Sequence, residues 1–380
     1  MINRDRLIKL TQQLIAINSE NPPGNEWACG QFITKKMRDL GLAVKTYTYA
    51  KKRPNIVAVL KGSLPRAQAR DASILLTPHY DTVPIGQGWR MNPLGGEIRK
   101  GRIYGRGASD DKGNLACCME VMESFVEDGI RFKGDVVMAA TAEEETGSRY
   151  GIIPLLAEGI LKPRAALIVD SFAFDTVIAQ KGLIHCRVQI AGKKAHGAYN
   201  WLGVNAIEIG ARVIHDIKQY VFSYVKHPLL HPPTINVGTI RGGDKVNMVA
   251  DFCEFSLDIR FLPGMSHETI LKDIKALIRS HTKNFKICID DLQQPYEIDR
   301  DHPMIQIYLS RAKALKVKST LKGSEGATVI SFFKKHQIPA FATGFGTHGT
   351  AHATDEYAEV ELLHKGAILL EDFVRVYDAM

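Results

Sequence analysis

The chain has 380 residues, a length that suits two domains better than one hydrophobic core. Hydrophobic residues make up 45% and charged residues 24%, as in an ordinary globular chain, and no apolar run is long enough to cross a bilayer. The net charge of +8 serves either as a solubility surplus or to attract anionic substrates, and without a basic stripe interleaved with aromatics it does not point to nucleic acid.

The first residues predict an amphipathic helix with Leu7, Leu10, Leu14 and Ile17 on one face, stopped by "NPPG". They lack the apolar core and small-residue cleavage site of a secretory signal, so a cytoplasmic location is expected. Three short apolar runs then read as buried strands: "SILLT" (73–77), "DVVMAAT" (135–141) and "AALIVD" (165–170). A glycine-closed helix, "NLACCMEVMESFVEDG" (114–129), lies between the first two. Alternation of this kind predicts an α/β sheet covered by helices. The six cysteines form no CxxC pair and sit mostly in apolar contexts, as reduced core residues do.

Near Val177 the pattern changes. "LIHCRVQIAG" alternates like a strand with one wet face, and a helix, two strands ("TINVGTI", "CEFSLDIRFLPG"), a second helix (267–281) and "FKICIDD" follow. Strand–helix–strand–strand–helix–strand is the order of a ferredoxin-like α+β module. The expected organisation is an inserted domain at 178–292 and a second domain assembled from 1–177 and 293–380.

Each of the three buried strands ends on groups able to hold a metal or a proton. "SILLT" runs into His79 and Asp81, "DVVMAAT" into Glu143, Glu144 and Glu145, and "AALIVD" ends on Asp170. In open α/β sheets, sites form where the carboxyl ends of strands meet. "GRIYGRGASDDKGNLA" (101–116) contains a GRG that could cradle phosphate, but Asp110 and Asp111 follow at once and would repel it, so a carboxylate presented to cations fits better. "GFGTHGTAHATDEYAEV" (344–360) carries His348 and His352; its glycines argue for a loop, on which one of the two histidines rather than both faces a metal.

Together, "TPHYDTVP", "GRGASDDKG", "TAEEETGS", "LIVDS", "GKKAHG", "DIRFLPG" and "GTAHATDEY" stand in the order and spacing of the dinuclear zinc amidohydrolases, among them acetylornithine deacetylase, succinyl-diaminopimelate desuccinylase, aminoacylase and glutamate carboxypeptidase. The chain resembles this family over essentially its whole length. The resemblance implies a zinc-exopeptidase-like catalytic domain, a mixed sheet sandwiched by helices, with the inserted module as lid and dimerisation domain. It implies two Zn²⁺ per chain, or Co²⁺ or Mn²⁺ in their place, with His79, Asp110 and Asp170 on one and Asp110, Glu145 and His352 on the other. Asp110 would bridge and precede a cis peptide, the metals would share a hydroxide, Glu144 would be the general base and Asp81 would support His79. From the inserted domain, His196 would reach the partner subunit's site and stabilise the oxyanion. Arg260 would grip the substrate carboxylate, unless it is held in an ion pair with Asp258, and Asn247 would contact substrate. The implied activity is hydrolysis of N-acyl amino acids, with a dipeptidase or carboxypeptidase as the alternative and a non-catalytic binding protein on the same fold as the remote one. Asp111 in place of Met, and Ser171 in place of Pro, depart from the commonest forms of the family. Glu143 is expected to play a supporting or a solvated part.

Overall fold

The computed structural model describes residues 1–379, which divide into two compact units. The first comprises Met1–Ile178, Ile298–Lys322 and the chain from Phe332 onward; the second comprises Ala179–Glu297 and Gly323–Ser331. The segment Gly323–Ser331 departs from the expected boundaries. It joins the second unit because Lys181 N–H donates to Ser324 O (3.1 Å), and because the Gln180 amide oxygen accepts from both the N–H and the hydroxyl of Thr328 (3.0 and 2.7 Å).

The N-terminal half contains α1 (Arg4–Ile15), α2 (Trp27–Asp39), β1 (Ala43–Ala50), β2 (Arg53–Leu60), α3 (Arg66–Asp71), β3 (Ile74–Thr77), β4 (Glu97–Arg99), β5 (Arg102–Tyr104), α4 (Lys112–Glu127), β6 (Val136–Ala140), α5 (Ile152–Ala157), β7 (Ala165–Val169) and β8 (Asp175–Gln180). Next come β9 (Gly182–Ala191), α6 (Ala206–Gln219), β10 (Thr234–Gly242), β11 (Phe252–Phe261), α7 (His267–His281), β12 (Phe285–Gln293) and β13 (Tyr296–Glu297). The chain finishes with α8 (Pro303–Ala314), β14 (Thr320–Ser324), α9 (Ile330–Lys335), β15 (Ala340–Thr343), β16 (Tyr357–Glu359) and α10 (Val360–Asp378).

In the first unit the strands run in the order β1-β2-β6-β3-β7-β15-β8. The central four, β6, β3, β7 and β15, are mutually parallel, while β1, β2 and β8 are antiparallel to their neighbours. Every residue of β3, β7 and β15 is buried, as expected for parallel strands covered on both faces, and this is why they read as unbroken apolar runs. Helix α1 starts where the Asn3 side chain accepts the N–H groups of Asp5 and Arg6, and it buries Leu7, Leu10, Leu14 and Ile15. It ends two residues before the last position of its apolar pattern, so Ile17 lies beyond it and only half-buried. Helix α4 packs between α1 and α10.

The second unit is a four-stranded antiparallel sheet, β10-β11-β9-β12, with the ferredoxin-like βαββαβ order. Its core interleaves Cys186, Val188 and Ile190 of β9 and Phe255 and Ile259 of β11 with Val213 of α6 and Ile274 of α7. Ile274→Ala should cost about 3 kcal/mol of stability, because it deletes a fully buried branched side chain and leaves a cavity. A urea midpoint unchanged from the parent would contradict this packing. All six cysteines are free, five of them buried. Among the described residues no helix is long and apolar enough to cross a membrane.

Candidate metal centre

The parallel strands β6, β3 and β7 are neighbours, so the loops leaving their carboxyl ends meet at one edge of the sheet. These loops bring His79 and Asp81, Glu143 to Glu145, and Asp170. The turn into α4 adds Asp110 and Asp111, and the loop after β15 adds His352. One potential ligand atom from each of His79, Asp110, Asp111 and Asp170 lies within 4.8 Å of the others, and Asp110, Glu145 and His352 form a second such group. Asp110 belongs to both.

His79 directs Nε2 to Asp110 Oδ1 (3.0 Å) and Nδ1 to the Asp81 carbonyl oxygen (3.1 Å), with Asp81 Oδ1 3.4 Å away. His352 Nε2 lies 3.3 Å from Asp110 Oδ2 and 3.2 Å from Glu145 Oε2. Asp81 is fully buried and does more than orient an imidazole. Its Oδ1 accepts the N–H of Glu144 (3.0 Å), and its Oδ2 accepts the N–H of Glu145 (3.2 Å) and the Asn21 amide (2.9 Å). One carboxylate therefore ties the β3 loop to the β6 loop.

The peptide between Asp110 and Asp111 is cis. Asp111 spends its oxygens inside the protein: Oδ2 accepts the N–H of His79 (3.1 Å) and Oδ1 accepts the Asn114 amide (2.6 Å). A second anchor, overlooked in the sequence, is the buried Glu356. It accepts the N–H groups of Gly107, Ser109 and Asp110 (3.0, 2.9 and 3.1 Å) and pairs with Arg106 at 2.8 Å. Its only sequence signal was the acidic pair beside His352.

The three adjacent glutamates separate. Glu143 has φ of 61° and is buried, and it accepts the N–H of Tyr150 and the hydroxyl of Thr146, so it supports the turn rather than facing solvent. Glu144 has no cation within ion-pair distance among the described residues. Burial, reinforced by Asp170 and Glu145, pushes its carboxyl well above the usual range. Asp170 is pushed up to about 7 by burial and its acidic neighbours, against the pull of His79. Hydrogen bonds to Asp110 and Glu145 raise the His352 imidazole to about 10. Burial opposes ionisation of Asp110 and Asp81, yet their bonds to histidine hold both below the ordinary carboxylate range.

His348 stays outside this cluster. Its Nε2 faces Asp175 at 3.3 Å and its ring lies against Phe172. Of the two histidines in the loop, His352 is the one brought to the carboxylates.

His196, Asn247 and Arg260 belong to the second unit. His196 is exposed, and its Nδ1 accepts the N–H of Ala198 (3.1 Å), which leaves the Nε2 proton free to donate. Asn247 O accepts the N–H of Gly197 (2.8 Å), so these two loops lie side by side. Arg260 pairs bidentately with Asp258, through Nε (2.7 Å) and Nη2 (3.2 Å). A two-pronged grip on a substrate carboxylate would have to displace that partner.

The sequence profile described as "Peptidase family M20/M25/M40" matches residues 75–376, which is most of the chain. The chain belongs to this peptidase family. It is a metal-dependent hydrolase. Among curated proteins it is 27% identical to the acetylornithine deacetylase of Vibrio atlanticus over 386 aligned positions, covering 97% of this chain and 98% of that one. Among solved structures it resembles a Staphylococcus aureus tripeptidase (TM-score 0.81, 22% identity, 100% of both chains). It also resembles a dinuclear metal-binding M20 peptidase of Bacillus subtilis (TM-score 0.76, 14% identity, 99% of both chains). At these identities the two structures show the shared fold alone: a large mixed sheet within an α/β architecture.

Proposed function

We propose that the chain hydrolyses the amide bond of N-acyl amino acids at a centre of two divalent cations. The observation that carries this reading is the pair of ligand groups sharing Asp110, with Glu144 beside them and Asp81 behind. The protein tests the fit itself. Glu145 Oε1 is buried without a hydrogen-bond partner among the described residues, a state that costs about 1–3 kcal/mol unless a cation meets it. Imidazole and carboxylate donors suit Zn²⁺, and Co²⁺ or Mn²⁺ as well.

In this reading His79, Asp110 and Asp170 would hold one cation, and Asp110, Glu145 and His352 the other. Such a pair supplies Lewis-acid polarisation of the scissile carbonyl and makes a water easier to deprotonate. The remaining work belongs to side chains. Glu144 accepts the proton of the attacking water and returns it to the departing amine nitrogen. Asp81 holds the backbone of Glu144 through its carboxylate, and its carbonyl oxygen and Oδ1 beside Nδ1 fix the His79 tautomer. Asp111 anchors the backbone of His79, and Glu356 holds the turn that presents Asp110.

The roles of the second unit belong to the same proposal. His196, with Nε2 free to donate, would stabilise the oxyanion, and Arg260 and Asn247 would contact the substrate. The unit would act as lid and dimerisation domain, with His196 of one subunit serving the site of the other. The edge strand β10 is largely exposed, and Tyr199 and Trp201 beside His196 are exposed aromatics, a surface suited to a homodimer.

N-acyl amino acids come first as substrate because the full-length curated relative is a deacetylase. Short peptides come second. The zinc-loaded protein should cleave N-acetyl amino acids at least about tenfold better, in kcat/KM, than dipeptides of the same residues, a transition-state preference of about 1.4 kcal/mol. The reverse order assigns a dipeptidase, and no cleavage of either refutes the reading. The histidines give a second check. His352→Ala should lose one metal per chain and nearly all turnover, whereas His348→Ala should stay within about twofold of the parent, as surface changes do. Metal analysis with steady-state rates measures both.

A further inference from the structure

A cavity of about 340 Å³ opens on the first unit, at the opposite end of the strands from the metal centre. Its floor follows from strand register. Ala43 pairs with Val59, Val59 with Val137, and Val137 with Leu75, so these four side chains form one row across β1, β2, β6 and β3 on a single face of the sheet. Helix α2 lies against the other face, where Gly30 approaches Pro54 and Ile56. On the cavity face the row is left partly open: Val59 and Val137 are only half-buried.

The rim is cationic. Arg66 and Arg70 stand one turn apart on α3, Lys45 rises from β1, Lys61 follows β2, and Lys162 lies in the loop after α5. Asp135 is the one carboxylate lining the cavity. It is already engaged, accepting from Lys61 Nζ (3.0 Å) and from the N–H of Gly62 (2.8 Å). Among the described residues Lys45, Arg66 and Lys162 have no ion-pair partner, and Arg70 reaches only its neighbour Asp71, at 3.9 Å. Scattered surface cations are ordinary. Three uncompensated cations and the loosely paired Arg70 around an apolar floor, in a concavity of ligand size, form a site with a stated chemistry.

We propose that this cavity binds a small amphipathic anion, a carboxylate or phosphate monoester whose apolar body lies on the Ala43–Val59–Val137–Leu75 row and whose charged head meets Arg66, Arg70, Lys45 and Lys162. Nothing in the hydrolytic mechanism uses these residues, so the site stands independently of the proposed reaction. Ligand burial would cover the open valines, and the guanidinium forks of α3 match the oxygens of either head group.

Isothermal titration of the metal-loaded full chain with octanoate, octyl phosphate and 1-octanol tests this. Saturable binding of one or both anions is expected, with 1-octanol at least about tenfold weaker because the charge-assisted contacts are missing. The relative strength of octanoate and octyl phosphate identifies the preferred head group. Lys45→Glu combined with Arg66→Glu reverses two exposed charges and should weaken anion binding at least about tenfold. Ala43→Trp fills the cavity from an exposed edge position and should block it. Both variants should keep the parent's Tm and its kcat/KM for hydrolysis. Three results would overturn the proposal: no saturable binding by either anion, equal binding of 1-octanol, or undiminished anion binding in both variants, which would place the probe elsewhere, including the metal centre.

Discussion

Glu144→Gln should lower kcat by roughly 10²–10⁴-fold, the span of a lost general base, while the purified protein keeps two metals per chain. The substitution preserves size and the backbone N–H that donates to Asp81 Oδ1, so the junction between the β3 and β6 loops stays intact. It removes only the ability to take and return a proton. Glu144 suits that task because among the described residues it has no ion-pair partner, and desolvation with its acidic neighbours raises its proton affinity. Cations held beside it would lower that affinity, favouring the ionised form a base needs. Retained metal with lost turnover separates a proton-transfer role from a ligand role. A Glu144→Gln variant with near-parent kcat would sink the assignment, and one that lost metal would make Glu144 a ligand.

Asp110→Ala should have the larger effect on metal content. Asp110 is the one residue common to both ligand groups, facing His79 with Oδ1 and His352 with Oδ2. In the proposed ligand set, its removal would take a ligand from each metal and the carboxylate common to both groups. Metal content should fall from two per chain to less than one, with activity at background, whereas Asp170→Ala or His352→Ala should each spare one metal. The turn itself should survive, because Glu356 holds it through the backbone N–H groups of Gly107, Ser109 and Asp110 and not through the Asp110 side chain. Metal analysis by atomic emission, with circular dichroism as the folding control, reads both halves. Two metals per chain in Asp110→Ala would show that the groups do not share this ligand.

Much of the fold was legible because buried parallel strands and amphipathic helices leave periodic marks. Strands β3 and β7 appeared as apolar runs, and β9 showed its alternation of buried and half-buried residues. The βαββαβ order of the second unit could be read from the succession of patterns alone. Boundaries were less legible. Gly323–Ser331 looks like part of the C-terminal run, and long-range bonds to Gln180, Lys181 and His231 tie it to the second unit. Long-range hydrogen bonds of this kind leave no local signature.

The candidate site divides in the same way. The sequence by itself determined which chemical groups stand at the strand ends, since a short buried strand must deliver the residues that follow it to the carboxyl edge of the sheet. Where a loop side chain then points is set by contacts between segments distant in sequence. Tertiary structure decided that Glu143 turns inward to its own loop and that Asp111 bonds to His79 N–H and Asn114, and it brings His352, the histidine the resemblance implied, rather than His348 to Asp110 and Glu145. It also placed Asp258 against Arg260, and revealed Glu356 as the anchor of the Asp110 turn. Periodicity carries information only where the backbone is regular, and the loops that hold this chemistry are not.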